Sequence, residues 1–247
     1  MPTLSAGPAR CAEEVAQAQA LRYRVFAGEC GARLASRGYG RDEDAFDAWC
    51  VHLVVRDECR GTVVGTYRVL TSERAARAGS FYSETEFDLT GLQRYRTGLC
   101  EIGRACVDPG YRGGVALHLL WQAVAVLMRE GGSTHLIGCA SVPLAGDGES
   151  AASLWRRLAP DHLAPADCRV VPRRPLLSGG LARVGAAAPN DPTAGAAPML
   201  MRGYLRMGAW IGGEPARDDD FGSADFFMIL PIERMSARYA RHYLMAA

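Results

Sequence analysis

The stretch LCEIGRACVDPGYRGG, Leu99 to Gly114, decides the fold, because it runs from a strand through a glycine-rich turn into a long apolar helix. Leu99 to Val107 reads as a buried strand carrying two charges, Glu101 and Arg104, which a sheet interior tolerates only when they are paired or used. Strand positions three apart face opposite sides. The two charges therefore converge only where the strand bulges, and Gly103 is the residue predicted to permit it. A bulged strand also splays from its neighbour and opens a slot. The spacing leaves two readings open: a structural ion pair or a reactive one.

Beyond the strand, the N–H groups of Gly113, Gly114, Val115 and Ala116 sit at a helix N-terminus beside Arg112, a ready seat for a phosphate. A carboxylate next to a phosphate seat suggests acyl transfer from a phosphopantetheine thioester.

Working outward, Gly114 to about Glu130 predicts a helix apolar nearly all round, buried on a sheet and ended by Gly131-Gly132. His135 to Val142 predicts the next strand, parallel to Leu99–Val107 through that crossover helix. Upstream, Glu13 to Leu34 reads as a helix, DEDAFDAW (Asp42 to Trp49) as an acidic segment, and Val51–Val55 with Thr62–Leu70 as a hairpin turning at Asp57 to Gly61. Downstream, Glu149 to Leu158 predicts a helix, Leu200–Met207 and Phe226–Leu230 predict strands, and Ile232–Leu244 predicts a helix with Arg234, Arg238 and Arg241 on one face. The class is α/β (α+β): a central mixed sheet with a splayed, bulged strand, flanked by helices. Residues 1–247 read as one domain with a flexible Pro/Gly/Ala-rich excursion at about 173–199.

Composition excludes several chemistries. All 28 basic residues are arginine, so Schiff-base and lysine-nucleophile mechanisms are ruled out. A net charge of +1 argues against a nucleic-acid partner. The eight cysteines make no C-x-x-C pair and no zinc-ligand spacing, so no metal is expected. No long uncharged apolar run and no leader pattern is present, which predicts a cytoplasmic protein.

Asp44, Asp47 and Arg68 form a looser set. Two carboxylates lie on an aromatic segment, and an arginine interrupts an apolar strand. They read either as a solvated loop with a snorkelling arginine or as an acceptor pocket holding a cationic amine.

Taken in order, Leu21-Arg22-Tyr23-Arg24-Val25-Phe26, Asp44-x-x-Asp47, Gly65-x-x-Arg68 and Glu101-x-x-Arg104 resemble the acyl-homoserine lactone synthases. The chain is still more similar to the ornithine lipid N-acyltransferases, a hemolysin-like branch of the same GNAT fold. The residues that carry this likeness are CEIGRACV (Cys100–Val107), Tyr111-Arg112, Leu119-Leu120-Trp121 and the block from Gly203 to Phe227. The resemblance implies Glu101 as general base with Arg104 beside it, and Arg24, Asp44, Asp47, Arg68 and Ser141 on the acceptor. It also implies phosphopantetheine binding by Val107, Arg112, Gly113, Gly114, Val115 and Ala116. Tyr111 stands where a GNAT phosphate loop carries Arg or Gln, which fits a donor with a single phosphate. The implied donor is a 3-hydroxyacyl chain on acyl carrier protein, the acceptor the α-amine of L-ornithine, and the product lyso-ornithine lipid, with no tightly bound cofactor. Arg156-Arg157, Arg173-Arg174 and the C-terminal arginine stripe are candidate docking points for the acidic carrier, and the stripe equally suits peripheral contact with the inner membrane face. Lactone-synthase-like acylation of another acceptor and a non-enzymatic acyl- or membrane-binding protein are the alternatives.

Overall fold

A computed structural model of the chain describes residues 2–34, 36, 39–144, 149–176, 197–236, 238–239 and 241. In chain order the elements begin with β1 (Leu4–Pro8), α1 (Ala12–Tyr23) continuing into a π-helical turn (Arg24–Glu29), β2 (Val51–Asp57), β3 (Thr62–Thr71) and α2 (Ser72–Ala78). Then come β4 (Phe87–Asp88), β5 (Leu99–Val107), α3 (Val115–Glu130), β6 (His135–Pro143) and α4 (Glu149–His162). The order closes with β7 (Val171–Pro172), α5 (Met199–Met207), β8 (Trp210–Ile211), β9 (Ala216–Asp218) and β10 (Ser223–Pro231). Two compact units result, one built on Met1–Ser80 and Cys100–Ser133, the other on Phe81–Leu99 and Thr134–Ala237. Among the described residues no helix is long and apolar enough to cross a membrane.

The first unit is an antiparallel ladder, β1 on β2, β2 on β3 and β3 on β5. The β2–β3 hairpin closes as predicted at Asp57–Gly61. Asp57 Oδ1 accepts from Cys59 N at 3.0 Å and Arg60 N at 3.2 Å, and Gly61 takes φ 64°. Leu53, Val54 and Val55 are fully buried, each worth about 1.5–3 kcal/mol of apolar burial. α1 covers one face through Ala18, Leu21 and Val25, packed with Val54, Val63 and Cys106. α3 covers the other: its Trp121 meets Tyr67 edge-on at 6.2 Å between ring centroids. Glu14 of α1 holds Arg56 of β2 at 2.6 Å, and this bond keeps its carboxyl down at about 2.

β5 carries the bulge, but not at the residue the sequence suggests. Thr66 opposes Cys106 and Arg68 opposes Gly103, so Arg104 and Ala105 together face Tyr67 alone. Gly103 is not among the left-handed residues; Arg104 is, at φ 53°. A left-handed non-glycine residue costs on the order of 1–2 kcal/mol. Two carboxylates hold the Arg104 side chain and offset that cost.

In the second unit β6 and β10 pair antiparallel over their whole lengths, from Ser223 on Pro143 to Pro231 on His135, and β8 and β9 also join β10. β10 is buried at every position, and its Phe226–Leu230 stretch is an unbroken apolar run. Gly213 is required by close approach, since a Cβ there would lie 2.2 Å from the Val170 carbonyl oxygen.

Leu200–Met207, predicted as a strand, is instead helical as α5. Met201, Tyr204 and Met207 recur every third residue and all three are buried, a helical rather than a strand period. The predicted C-terminal helix begins with a 3-10 turn, Ile232–Arg234, and mostly lies outside the described residues beyond Ser236. The excursion expected at 173–199 lies at 177–196 outside them too. Its described start is tied down, with Arg173 N donating to Glu86 O at 2.7 Å.

Candidate active site

The first unit gathers three guanidiniums and three carboxylates on the α1 face of its sheet. Arg22, fully buried, donates from Nε to Asp42 Oδ2 at 2.8 Å and from Nη2 to Asp47 Oδ1 at 2.9 Å. Arg68 Nη1 donates to Asp44 Oδ1 at 2.6 Å and reaches Asp47 Oδ2 at 3.5 Å. Arg104 closes the set, Nε on Asp42 Oδ2 at 3.2 Å and Nη2 on Asp44 Oδ2 at 3.1 Å. Burial alone would raise the Asp44 carboxyl, but the charges of Arg68 and Arg104 outweigh it and hold it below the usual carboxylate range. His52 of β2 donates from Nε2 to the Asp47 carbonyl at 3.0 Å, and burial lowers its pKa.

The bulge is what brings Arg104 here. On a regular strand its side chain would face the α3 side, opposite to Glu101; the extra residue returns it to the face that carries Arg68. Glu101, 3% exposed, opposes Leu70 two positions along from the Arg68–Gly103 pair, so its side chain shares that face. The buried Cys50 thiol, pushed up to about 12 by desolvation, feels Arg68, Asp47, Glu101 and Asp44 together.

Asp44, Asp47, Arg68, Glu101 and Arg104 thus come together as expected. Two expectations are corrected. Arg24 does not join them: it is exposed and faces Asp108 at 3.7 Å. The inward stripe of α1 runs Ala18, Leu21, Arg22, Val25, so the arginine that enters the cluster is Arg22, two residues earlier. Nor do Asp44 and Asp47 form a solvated loop beside a snorkelling arginine: Arg68 is buried and pairs with Asp44 at 2.6 Å, and Arg22 pairs with Asp47 at 2.9 Å. Sequence reasoning missed both Arg22 and Asp42, although the apolar stripe around Arg22 carried the signal.

The glycine-rich turn expected to seat a phosphate also lies in this unit. Asp108 Oδ1 accepts from Gly110 N at 3.0 Å, Gly114 takes φ 94°, and α3 starts at Val115 without a side-chain cap. Arg112 donates from Nε to the Val107 carbonyl at 3.1 Å, while Glu29 spans its two outer nitrogens at 2.8 and 3.0 Å. Tyr111 donates its hydroxyl to Asp57 at 2.6 Å, which lowers the Asp57 carboxyl and raises the phenol.

Ser141 belongs to the second unit, on β6 opposite Asp225. There Glu86, Cys139 and Asp225 bring one ligand atom each within 4.8 Å of one another, the closest approach to a cation site among the described residues. Burial raises Asp225, which hydrogen-bonds to Ser141, Glu86 and Ser223.

Residues 21–122 match the family model of the acetyltransferase (GNAT) domain. The chain is 38% identical to an L-ornithine N(alpha)-acyltransferase of Brucella abortus (strain 2308), with 92% of this chain and 83% of that protein covered. Against the enzyme of the same name from Rhizobium meliloti (strain 1021), identity is 36%, covering 95% of this chain and 82% of that one. The chain belongs to the L-ornithine N(alpha)-acyltransferase family. It is an acyltransferase. Among solved structures, BjaI, a CoA-dependent acyl-homoserine lactone synthase, superposes with a TM-score of 0.56 at 15% identity, covering 99% of this chain and 90% of that one. FeeM, an N-acyl amino acid synthase from uncultured soil microbes, gives 0.53 at 10% identity, covering 97% and 99%. Both share the GNAT fold, strands mostly antiparallel and flanked by helices, that the family predicts for this chain.

Proposed function

We propose that the chain moves a 3-hydroxyacyl group from the phosphopantetheine thioester of an acyl carrier protein to the α-amine of L-ornithine, giving lyso-ornithine lipid. The family supports the acceptor, since its members at 34–38% identity bear that name. The single observation that carries the chemistry is Glu101, a buried carboxylate beside the bulge of β5 and on the face of the arginine–aspartate cluster.

In this reading the ornithine ammonium, protonated at neutral pH, loses its proton to Glu101, directly or through a water. The freed amine attacks the thioester carbonyl. A backbone N–H released from the ladder at the bulge donates to the developing oxyanion. The new C–N bond stays and the C–S bond breaks. The second proton, which the nitrogen sheds as it becomes an amide, goes to the pantetheine thiolate, and Glu101 returns the proton it took to solvent. Arg22, Arg68 and Arg104 with Asp42, Asp44 and Asp47 hold β5 in its bulged course. The donor phosphate rests on the N–H groups of Gly113 to Ala116, and the 1–247 chain acts as one GNAT-like domain, at the inner membrane face where its product is needed.

The test is thiol release from 3-hydroxypalmitoyl carrier protein with and without ornithine, coupled to product mass. Ornithine-dependent release with the acyl-ornithine mass is expected. Glu101→Gln should lower kcat by about 10²–10⁴-fold with an unchanged circular dichroism spectrum; an unaltered rate removes Glu101 as base. Release with other amines but not ornithine overturns the acceptor.

A further inference from the structure

We infer that Glu29 sets which donors the phosphate turn accepts, because its carboxylate occupies Arg112 in the manner of a phosphate and a donor has to displace it. The inference rests on the reading that the donor is a phosphopantetheine thioester.

It starts from an irregularity in α1. After Tyr23 the helix widens to a π turn over Arg24–Glu29, with Cys30 N donating to Val25 O at 3.1 Å. π turns cluster at functional places in helices. Here both ends of the turn reach the same short segment of chain. Arg24 lies 3.7 Å from Asp108, and Glu29 grips Arg112 through both oxygens, at 2.8 and 3.0 Å. The Val107 carbonyl takes the remaining Nε of Arg112 at 3.1 Å and fixes the plane of the guanidinium. A carboxylate spanning two guanidinium nitrogens makes the same fork that two phosphate oxygens make.

The pair is built to open. Its side chains are 44% and 40% exposed, and such pairs are worth little against water. Arg24 and Arg112 are balanced by Asp108 and Glu29, so these four groups together carry no net charge. A phosphodiester with one negative charge exchanges one for one with Glu29. A coenzyme A donor brings a pyrophosphate and a ribose phosphate. Its further charges then meet the displaced Glu29 and the nearby Asp108 without new cations to balance them. Glu29 therefore favours the carrier-linked arm over free acyl-coenzyme A.

The probe is coenzyme A itself, titrated calorimetrically at low ionic strength into the wild type, Glu29→Gln, Glu29→Asp and the double variant Glu29→Gln with Arg112→Ala. Removing the charge should tighten binding about fivefold, the equivalent of one exposed ion pair, and steepen its loss with added salt. Glu29→Asp should stay near wild type, and the double variant should lose the gain. In parallel, the ratio of kcat/KM for acyl-coenzyme A over acyl carrier protein should rise with Glu29→Gln. Unchanged or weaker coenzyme A binding in Glu29→Gln overturns the inference, as does a gain that survives loss of Arg112. The titration needs no turnover. Tighter coenzyme A binding without ornithine-dependent thiol release would therefore keep the filter and remove the acyl-ornithine reading, while turnover with unmoved binding would do the reverse.

Discussion

Two arginine–carboxylate arrangements in the first unit have nearly the same bond lengths and opposite physical meanings. Arg22 meets Asp47 at 2.9 Å, and Arg112 meets Glu29 at 2.8 Å. The first pair is fully withdrawn from water, 0% and 5% exposed, whereas the second is 44% and 40% exposed. Removing charges from water costs several kcal/mol per ion, recovered only while every partner stays in place. The buried set is consequently a scaffold: six charges that fix the course of β5 and the left-handed Arg104. The exposed pair gains little and loses little, which is what the proposed exchange of Glu29 for an incoming anion requires. Distance alone does not distinguish scaffold from latch; solvent does.

The largest expected effect breaks the scaffold. Arg22→Met keeps an apolar stem in the α1 stripe but leaves Asp47 with only the 3.5 Å approach of Arg68 in place of its close guanidinium. Breaking one partner of a buried pair costs about 3–5 kcal/mol, so the urea midpoint should fall sharply. Adding Asp47→Asn to Arg22→Met should recover part of the loss, because the uncompensated buried charge is its main source. A loss below about 1 kcal/mol, the range of exposed pairs, would show that the two arrangements do not differ.

How much of this was legible in the sequence follows the same division. The β2–β3 hairpin, α3 and the need for a bulge between Glu101 and Arg104 could be read, since period and turn chemistry are local. The bulge itself was misplaced at Gly103. Glycine's freedom is a local preference, and it was overruled by Asp42 and Asp44, which hold Arg104 across about sixty residues of sequence. Choosing Arg24 over Arg22 came from a motif read in order rather than from the helical stripe that decides which arginine faces inward. α5 was short enough to pass for a strand until its three-residue spacing of buried side chains was seen. Glu29 carried no signal at all, because its partner lies 83 residues away.

An intermediate effect comes from His52, which borders the scaffold. Its pKa is lowered by burial, so the unfolded chain binds a proton between the folded value and the ordinary 6.5 while the native state does not. The sign follows directly: stability rises with pH through that window and falls as the solution is acidified below about 6.5. His52→Gln keeps a donor toward the Asp47 carbonyl without the titration. Urea unfolding from pH 7.5 to 5.5 should therefore fall less steeply in the variant, by up to one proton's worth, about 1.4 kcal/mol per pH unit. Equal slopes in the two proteins would mean that His52 takes up its proton in the fold as readily as in the unfolded chain, so that burial does not depress it.

The smallest effect on stability belongs to the latch. Glu29→Gln removes a charge whose partner, Arg112, keeps the Val107 carbonyl and gains access to water. The exposed pair predicts a loss below about 1 kcal/mol, and added salt should shrink the difference, since screening already weakens the pair in the wild type. The buried scaffold should respond far less to the same salt. If Glu29→Gln instead lowered stability by an amount close to that of Arg22→Met, the carboxylate would be holding the π turn in place rather than waiting on a donor. Exposure would then have failed as the criterion that separates a fixed charge from an exchangeable one.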